Sequence, residues 1–163
     1  MSQLTEILNL IESWVQKYNS DELRRVKMRP GLTIEQIEEK LVGQPYKLPK
    51  EIIELYQWHN GGHECFLPSP DGGYDLQTFL YLDEAISTAI DWNDSVFPNM
   101  NAFPLFLVED VIYWTVGSFE QQDLAPIYSS DDGEFPSSPD AASLTIFLEK
   151  EVKRLRFKWK IEN

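Results

Sequence analysis

The sequence predicts a single α+β domain with a central, largely antiparallel sheet and helices packed around it. Apolar residues recur at spacings of three and four near both ends of the chain, which is typical of amphipathic helices. Short runs of aromatic and β-branched residues lie between these ends, separated by turn-forming segments, which indicates strands joined by hairpins. Helices followed by a meander of strands favour α+β over a doubly wound parallel sheet, and 163 residues suit one domain.

Local signals predict two helices in the first 43 residues. The polar segment 19–31 is predicted to be a loop between them. Thr33 and Gln36 match a capping box, so the second helix is predicted over 33–42, with Gly43 just beyond its end. The first helix is predicted from its apolar stripe, which is formed by Leu4, Ile7, Leu8, Ile11, Trp14, Val15 and Tyr18.

A third helix is predicted to begin at Pro49, because proline needs no hydrogen-bond acceptor for its nitrogen in a first turn. Its apolar face contains Ile52, Leu55 and Tyr56. We expect this helix to include His59 and to stop at the Asn-Gly-Gly sequence 60–62, since glycine commonly ends helices.

The middle of the chain is predicted to form strands around one further helix. Segments 64–68 and 76–82 have strand-like composition and are separated by a turn-rich stretch, so we expect them to pair. A helix is predicted over 82–92, where two acidic residues suit its first turn. Three strands should follow, at 102–108, 110–116 and 124–130.

The chain is predicted to close with a helix over about 140–152, whose last turn carries favourable cations. Beyond it, Phe157 and Trp159 alternate with Lys158 and Lys160. This basic-aromatic C-terminal end, 153–163, is predicted to add an edge strand or to clamp onto an acidic body.

Charge is distributed very unevenly. Between Lys50 and Lys150 the chain has 18 Asp and Glu but no Lys or Arg, and the net charge is −13. Such a field repels nucleic acid and anionic lipid and attracts basic proteins, so we expect a protein partner and neither nucleic acid nor membrane. The alternative is that the carboxylates only keep the chain in solution.

Other features point to the cytoplasm. No apolar run is long enough to span a bilayer, and the N-terminal pattern is helical and acidic where a signal peptide would be apolar. The lone Cys65 cannot form an internal disulfide, which fits a reducing compartment.

Catalytic and metal-binding patterns are weak. His59 and His63 are separated by two glycines, which break the helix that a two-histidine site needs. The acidic segments 71–75 and 131–134 lack the spacing of an EF-hand loop. The sequence also contains no nucleophile elbow, phosphate loop or dinucleotide motif. We therefore predict a protein that is not an enzyme and has no cofactor or metal.

The run LPKEIIELYQWHNGG at 48–62, preceded by the capped helix, resembles the signature of the SUKH superfamily, the cell-wall assembly regulator family. The resemblance covers 33–152, leaving 1–30 as an N-terminal helical extension and 153–163 as the basic-aromatic end. Further matches are the strand pair 103–116, the strand at Pro126-Ile127-Tyr128 and the closing helix around Ala142, Ser143, Phe147 and Leu148.

The resemblance implies a protein-binding module. Many bacterial members resemble immunity proteins that neutralise toxins, often nucleases, whereas fungal relatives act as regulatory scaffolds. Glu109 and Asp110 stand where relatives often have a glycine-rich turn. The favoured interpretation is an immunity protein that binds a basic toxin, and the alternative is a scaffold for a cellular enzyme.

Acidic loops are the predicted contact surface, because binding residues concentrate in loops. Only one face of the adjacent Tyr113 and Trp114 can point inward, so we expect one of them to be an exposed aromatic anchor. The candidate partner-binding residues are Asp71, Asp75, Glu109, Asp110, Trp114, Asp131, Asp132 and Glu134.

Overall fold

The computed structural model describes residues 2–18, 27–63, 67–68, 74–76, 78–130 and 134–159. Five helices lie in these residues: α1 Gln3–Tyr18, α2 Ile34–Lys40, α3 Lys50–Trp58, α4 Leu82–Ser95 and α5 Leu144–Trp159. Eight strands accompany them: β1 Lys27–Pro30, β2 His59–His63, β3 Leu67–Pro68, β4 Tyr74–Leu76, β5 Thr78–Phe79, β6 Ala102–Val108, β7 Val111–Val116 and β8 Tyr128–Ser130.

The strands form an antiparallel sheet of six, in the order β1-β2-β5-β6-β7-β8, while β3 and β4 pair separately. The predicted α+β class, with N-terminal helices and a closing helix, is confirmed. The predicted pairing of 64–68 with 76–82 is confirmed only where Leu67 pairs with Leu76, because Pro68 pairs with Tyr74 and β5 pairs instead with β2 and β6. Residues 64–66 lie outside the described residues.

Capping residues set the ends of α2 as predicted. The Thr33 hydroxyl accepts a hydrogen bond from the Gln36 backbone at 3.2 Å, and the Gln36 side chain accepts one from the Thr33 backbone at 2.9 Å. Two otherwise unsatisfied N–H groups are therefore paired. Gly43 has a φ of +90°, a left-handed conformation that glycine adopts without steric cost.

The third helix ends earlier than predicted. The backbone of His59 is already extended, with φ −148° and ψ 147°, and residues His59–His63 form β2. Gly61, at φ +79°, lies so close to Tyr81 that an added Cβ would be 2.6 Å from its backbone nitrogen. The glycines thus serve close packing within a strand, because pairing on both edges of β2 outweighs their tendency to end a helix.

The predicted loop at 19–31 is wrong over its last residues, which form β1. Lys27 pairs with His63, and Pro30 pairs with His59. Local composition hides this strand because its pairing partners lie 29 to 36 residues away, and its proline is tolerated on an edge strand.

Later elements shift at their ends. Helix α4 continues three residues beyond the predicted limit, and β8 begins only at Tyr128 because Ile127 pairs instead with Ala141. Helix α5 starts at Leu144, where the Ser143 side chain accepts a hydrogen bond from the Ile146 backbone. It continues to Trp159, so the edge strand expected in the basic end is wrong over 153–159, and 160–163 lie outside the described residues.

Apolar side chains pack on both faces of the sheet at β7. The Tyr113 ring lies 5.1 Å from that of Phe147 in α5. The ring of the next residue, Trp114, lies 5.3 Å from Trp92 of α4 and from Phe97. Since successive side chains alternate across a strand, one member of the pair faces each layer.

Candidate partner-binding surface

The sheet topology brings to one end of the sheet three strand ends that adjoin acidic segments of the sequence. Thr78 at the start of β5 pairs with Leu107, and Val108 at the end of β6 pairs with Val111. Ser130 at the end of β8 pairs with Ile112. Because these neighbouring strands are antiparallel, the start of β5, the β6–β7 turn and the end of β8 lie together.

We call this region the acidic sheet end, defined by the β4 residue Asp75, the turn residues Glu109 and Asp110, and the chain exit at Ser130. Strand β4 ends at Leu76, two residues before β5 begins. The residues that follow Ser130 in the sequence are Asp131 and Asp132.

Glu109 and Asp110 form a two-residue turn and are both exposed. Neither carboxylate is within 4.0 Å of a cationic side chain in the part of the chain that the structure describes. Glu109 has a φ of +53°, a region that glycine occupies freely and that costs other residues free energy. The turn therefore holds two unpaired charges outward at a conformational cost.

Of the other predicted carboxylates, only Glu134 has a side chain that the structure describes. Asp71, Asp131 and Asp132 lie outside the described residues, as does the side chain of Asp75. Glu134 is exposed. It precedes Phe135, whose ring packs 4.8 Å from Tyr128 and 5.2 Å from Phe97.

The expectation of an exposed aromatic anchor at Trp114 is wrong. Its side chain is fully buried, and its indole N–H donates to the Ser130 hydroxyl at 2.8 Å. Tyr113 is half-buried against α5. The sequence suggested exposure because only one face of a strand was assumed to be covered, whereas helices cover both faces here.

The acidic region 51–149 is partly neutralised, away from the acidic sheet end, by lysines that precede it in the sequence. Lys40 lies 2.9 Å from Asp83 at the start of α4, and Lys50 lies 3.1 Å from Asp123. At the other end of the chain, Arg154 pairs with Glu151 in its own helix. These described ion pairs do not involve the carboxylates of the acidic sheet end.

One carboxylate of the acidic region 51–149 has a structural role that the sequence did not reveal. Glu51 is only 7% exposed and accepts hydrogen bonds from the backbone N–H groups of Ala125 at 2.7 Å, Leu144 at 3.1 Å and Thr145 at 3.0 Å. It therefore caps the N-terminus of α5 from α3. Its position in the first turn of α3 gave no signal of this distant contact.

Both ring nitrogens of His59 contact acceptor groups of the protein. Its Nδ1 lies 2.9 Å from the Arg29 carbonyl oxygen and its Nε2 lies 3.2 Å from Glu12, so both ring nitrogens are engaged. Within the described ranges, no three His, Cys, Asp or Glu side chains are grouped as a metal site would require.

A second candidate surface is a groove of about 1080 Å³ beside the N-terminal helices. We call it the helical groove. Residues of α2 and α3 form its walls, with Thr5 and Leu8 of α1 at one side. The connection from α2 to α3 contributes Val42, Gln44, Tyr46, Lys47 and Leu48.

None of the helices in the described residues combines the length and the apolar character that crossing a membrane requires. A scan of the chain against models of known protein families gives no match. A search of curated proteins likewise finds none that matches.

Proposed function

We propose that this protein is a non-enzymatic, SUKH-like binding module that neutralises a basic protein toxin through the acidic sheet end. The observation that carries the proposal is the turn of Glu109 and Asp110, which are exposed and unpaired among the described residues and lie at the same end of the sheet as the start of β5 and the end of β8.

The chemistry of the partner supports this proposal. A nuclease must present Lys and Arg to bind phosphates, so an inhibitor competing for the same groove benefits from carboxylates held in a fixed array. The net charge of −13 adds long-range attraction that accelerates encounter. A two-residue hairpin turn holds its side chains more firmly than a long loop does.

The backbone at Glu109 supports a role for its side chain. Glycine relieves the strain at φ +53°, yet glutamate occupies the position. Strained residues persist where the surrounding structure maintains them, and they cluster at functional sites. A requirement for a negative charge at this point of the surface would explain why glutamate, and not glycine, occupies position 109.

The test is a pull-down from the source cells with the tagged protein, washed at low and at high salt, with captured proteins identified by mass spectrometry. The wild type is compared with the double variant Glu109→Lys, Asp110→Lys. A matched control, Glu35→Lys with Glu39→Lys, changes net charge equally at two exposed positions on α2.

We expect one basic protein that is captured at low salt, released at high salt, and toxic when expressed alone. The turn variant should lose this partner, whereas the control should retain it. Equal loss in both variants would show that total charge, and not the acidic sheet end, determines capture.

The alternative function is a regulatory scaffold that binds a cellular enzyme, and the helical groove favours it. Apolar docking is less sensitive to salt than pairing of exposed charges. Capture of an ordinary cellular enzyme that survives high-salt washing and is unaffected by the turn variant would replace the immunity function with this one.

A further inference from the structure

The helical groove is lined by residues of α2, of α3 and of the connection between them. The backbone N–H of Leu32, just before α2, donates to the carbonyl oxygen of Tyr56 near the end of α3 at 2.9 Å. The start of α2 is thereby held against the end of α3. Ile34 begins α2 two residues after this contact, and Leu41 follows its last residue.

Apolar side chains in this groove remain accessible. Val42 is 77% exposed and Ile34 is 46% exposed, while Leu41 and Ile53 are half-buried. Ile34 and Leu41 are seven residues apart, about 10 Å along a helix axis. That distance equals two turns of a docked helix, so apolar residues at i and i+7 of a partner match it.

The groove also contains two charges of opposite sign without ion-pair partners in the described chain. Glu38 lies on α2 between Ile34 and Leu41, and Lys47 lies on the connection to α3. Neighbouring Glu54 is already engaged, since it accepts hydrogen bonds from the Ser2 and Thr5 hydroxyls. A complementary ligand therefore carries a basic group opposite Glu38 and an acidic group toward Lys47.

Tyr46, which also lines the groove, has an unusual hydroxyl. The residue is 7% exposed, and its buried oxygen has no hydrogen-bond partner in the described chain. The oxygen itself is inaccessible from outside, so a ligand in the groove does not reach it.

The geometry favours a helix over other occupants. The groove is lined by helices and connecting segments, and the backbone of Lys47 is already paired with Ser118 through two hydrogen bonds. A peptide strand would therefore find no free strand edge and would leave its own backbone unpaired, whereas a helix satisfies its backbone internally.

We propose that the helical groove docks an amphipathic helix of a protein partner, with apolar side chains over Ile34, Leu41 and Val42, a basic residue at Glu38 and an acidic residue at Lys47. This surface is separate from the acidic sheet end, so the proposal does not require toxin neutralisation.

The test uses a yeast-displayed library of helical peptides with fixed leucines at i, i+4 and i+7 and with randomised residues on either side. The full-length protein is the selection target. Enriched peptides are synthesised, and their dissociation constants are measured by fluorescence polarisation. The test variants are Val42→Glu and Lys47→Glu, and Val96→Glu is the matched control, since Val96 is 40% exposed after α4 and does not line the groove.

We expect enriched peptides to contain one basic and one acidic residue at consistent spacing. Val42→Glu should weaken binding by about tenfold or more, since a charge replaces an apolar contact at the mouth of the groove. Lys47→Glu should weaken the same peptides, and replacing their acidic residue with lysine should restore affinity to this variant. Val96→Glu should bind as the wild type does. Circular dichroism and urea midpoints establish that each variant is folded.

Three results would overturn the proposal. One is a failure of the library to yield any peptide that binds the wild type. Another is binding that Val42→Glu and Lys47→Glu leave unchanged. The third is sedimentation showing that the wild type dimerises and Val42→Glu does not, because the groove would then be an interface between two copies of this chain. None of these results depends on Glu109 or Asp110, so failure here is distinguishable from failure of the proposed function.

Discussion

Single side chains join parts of this fold that are far apart in the sequence. Glu51 is the clearest case, since its buried carboxylate accepts backbone hydrogen bonds from residues 74, 93 and 94 positions later. Buried carboxylates are tolerated when such donors replace water. Asn60 acts similarly, because its side-chain oxygen accepts from the backbone of Leu82 at 2.9 Å and caps α4.

Replacing Glu51 should therefore destabilise the protein strongly. Glu51→Ala leaves the N–H groups of Ala125, Leu144 and Thr145 without an acceptor, so we expect a loss of about 3–5 kcal/mol in the free energy of unfolding. Urea denaturation measures it. Glu120→Ala, at an exposed position, is the control and should change stability by about 0.5 kcal/mol or less. Similar values for both variants would show that the cap contributes little.

The tyrosines provide a pH-dependent test at the same scale. Burial raises the pKa of Tyr46 to about 12, and burial together with the charge of Glu84 raises the pKa of Tyr56 well above its usual value. Below about pH 10 both residues are protonated in the folded and unfolded states. Between pH 10 and 12 the unfolded chain releases these protons first, so the free energy of unfolding should fall as pH rises.

Tyr46→Phe should flatten that decline by up to about 1.4 kcal/mol per pH unit, the value for one proton. Near pH 7 it should change stability little, because the described chain offers its hydroxyl no hydrogen bond. Tyr56→Phe is the comparison, and it should cost about 1 kcal/mol at pH 7 because its hydroxyl donates to the Leu80 carbonyl oxygen at 2.9 Å. Urea titrations at each pH would contradict this account if Tyr46→Phe followed the wild type up to pH 12.

At the scale of elements, strand and turn geometry decide where charge is displayed. The β6–β7 hairpin connects Val108 to Val111 through two residues, the first in the left-handed region. The segment formed by α3 and β2 has a different role, because its side chains bind the backbone near the start of α4. Tyr56 donates to the Leu80 carbonyl oxygen, and Asn60 accepts from the Leu82 N–H. The hairpin turn displays charge on the surface, whereas the α3–β2 segment holds the fold together.

Glu109→Gly should separate stability from binding. Glycine relieves the positive φ, so we expect the free energy of unfolding to rise by about 0.5–1 kcal/mol. The same variant removes a carboxylate from the acidic sheet end and should weaken capture of the basic partner at low salt. Asp110→Gly is the control, since Asp110 does not have a positive φ, and it should not stabilise the protein. A destabilising Glu109→Gly would show that the turn gains nothing from glycine.

At the scale of the whole molecule, repulsion between like charges dominates. The net charge is −13, and the described ion pairs between segments, Lys40–Asp83 and Lys50–Asp123, are exposed. Exposed pairs contribute about 0–1 kcal/mol each. The charge that attracts a basic partner therefore also opposes compaction of the free protein.

Added salt should consequently stabilise the protein. Raising NaCl from 0.01 to 0.1 M shortens the screening length from about 30 to about 10 Å, which weakens repulsion across the surface. We expect the urea midpoint to rise over this range, and to rise further in the double variant Lys40→Gln, Lys50→Gln, which lacks two attractive pairs. A midpoint that falls with salt would show that ion pairs outweigh repulsion.

Features that depend on neighbouring residues are readable before the chain folds. The capping box of Thr33 and Gln36 is confirmed, and α3 begins at Lys50, one residue after the predicted start at Pro49. The buried apolar faces of the helices and the total charge could also be predicted. These signals act within one or two helical turns, so the sequence contains them locally.

Features that need a distant partner emerge only when the chain is folded. Lys27 becomes part of a strand because His63 pairs with it, and Trp114 is buried because α4 and Phe97 cover its face of the sheet. Strand pairing brings the Glu109–Asp110 turn, the start of β5 and the end of β8 to one end of the sheet, and residues of α2 and α3 line the groove. Hydrogen bonds and burial between remote segments carry no local pattern, and for that reason the sequence alone did not reveal them.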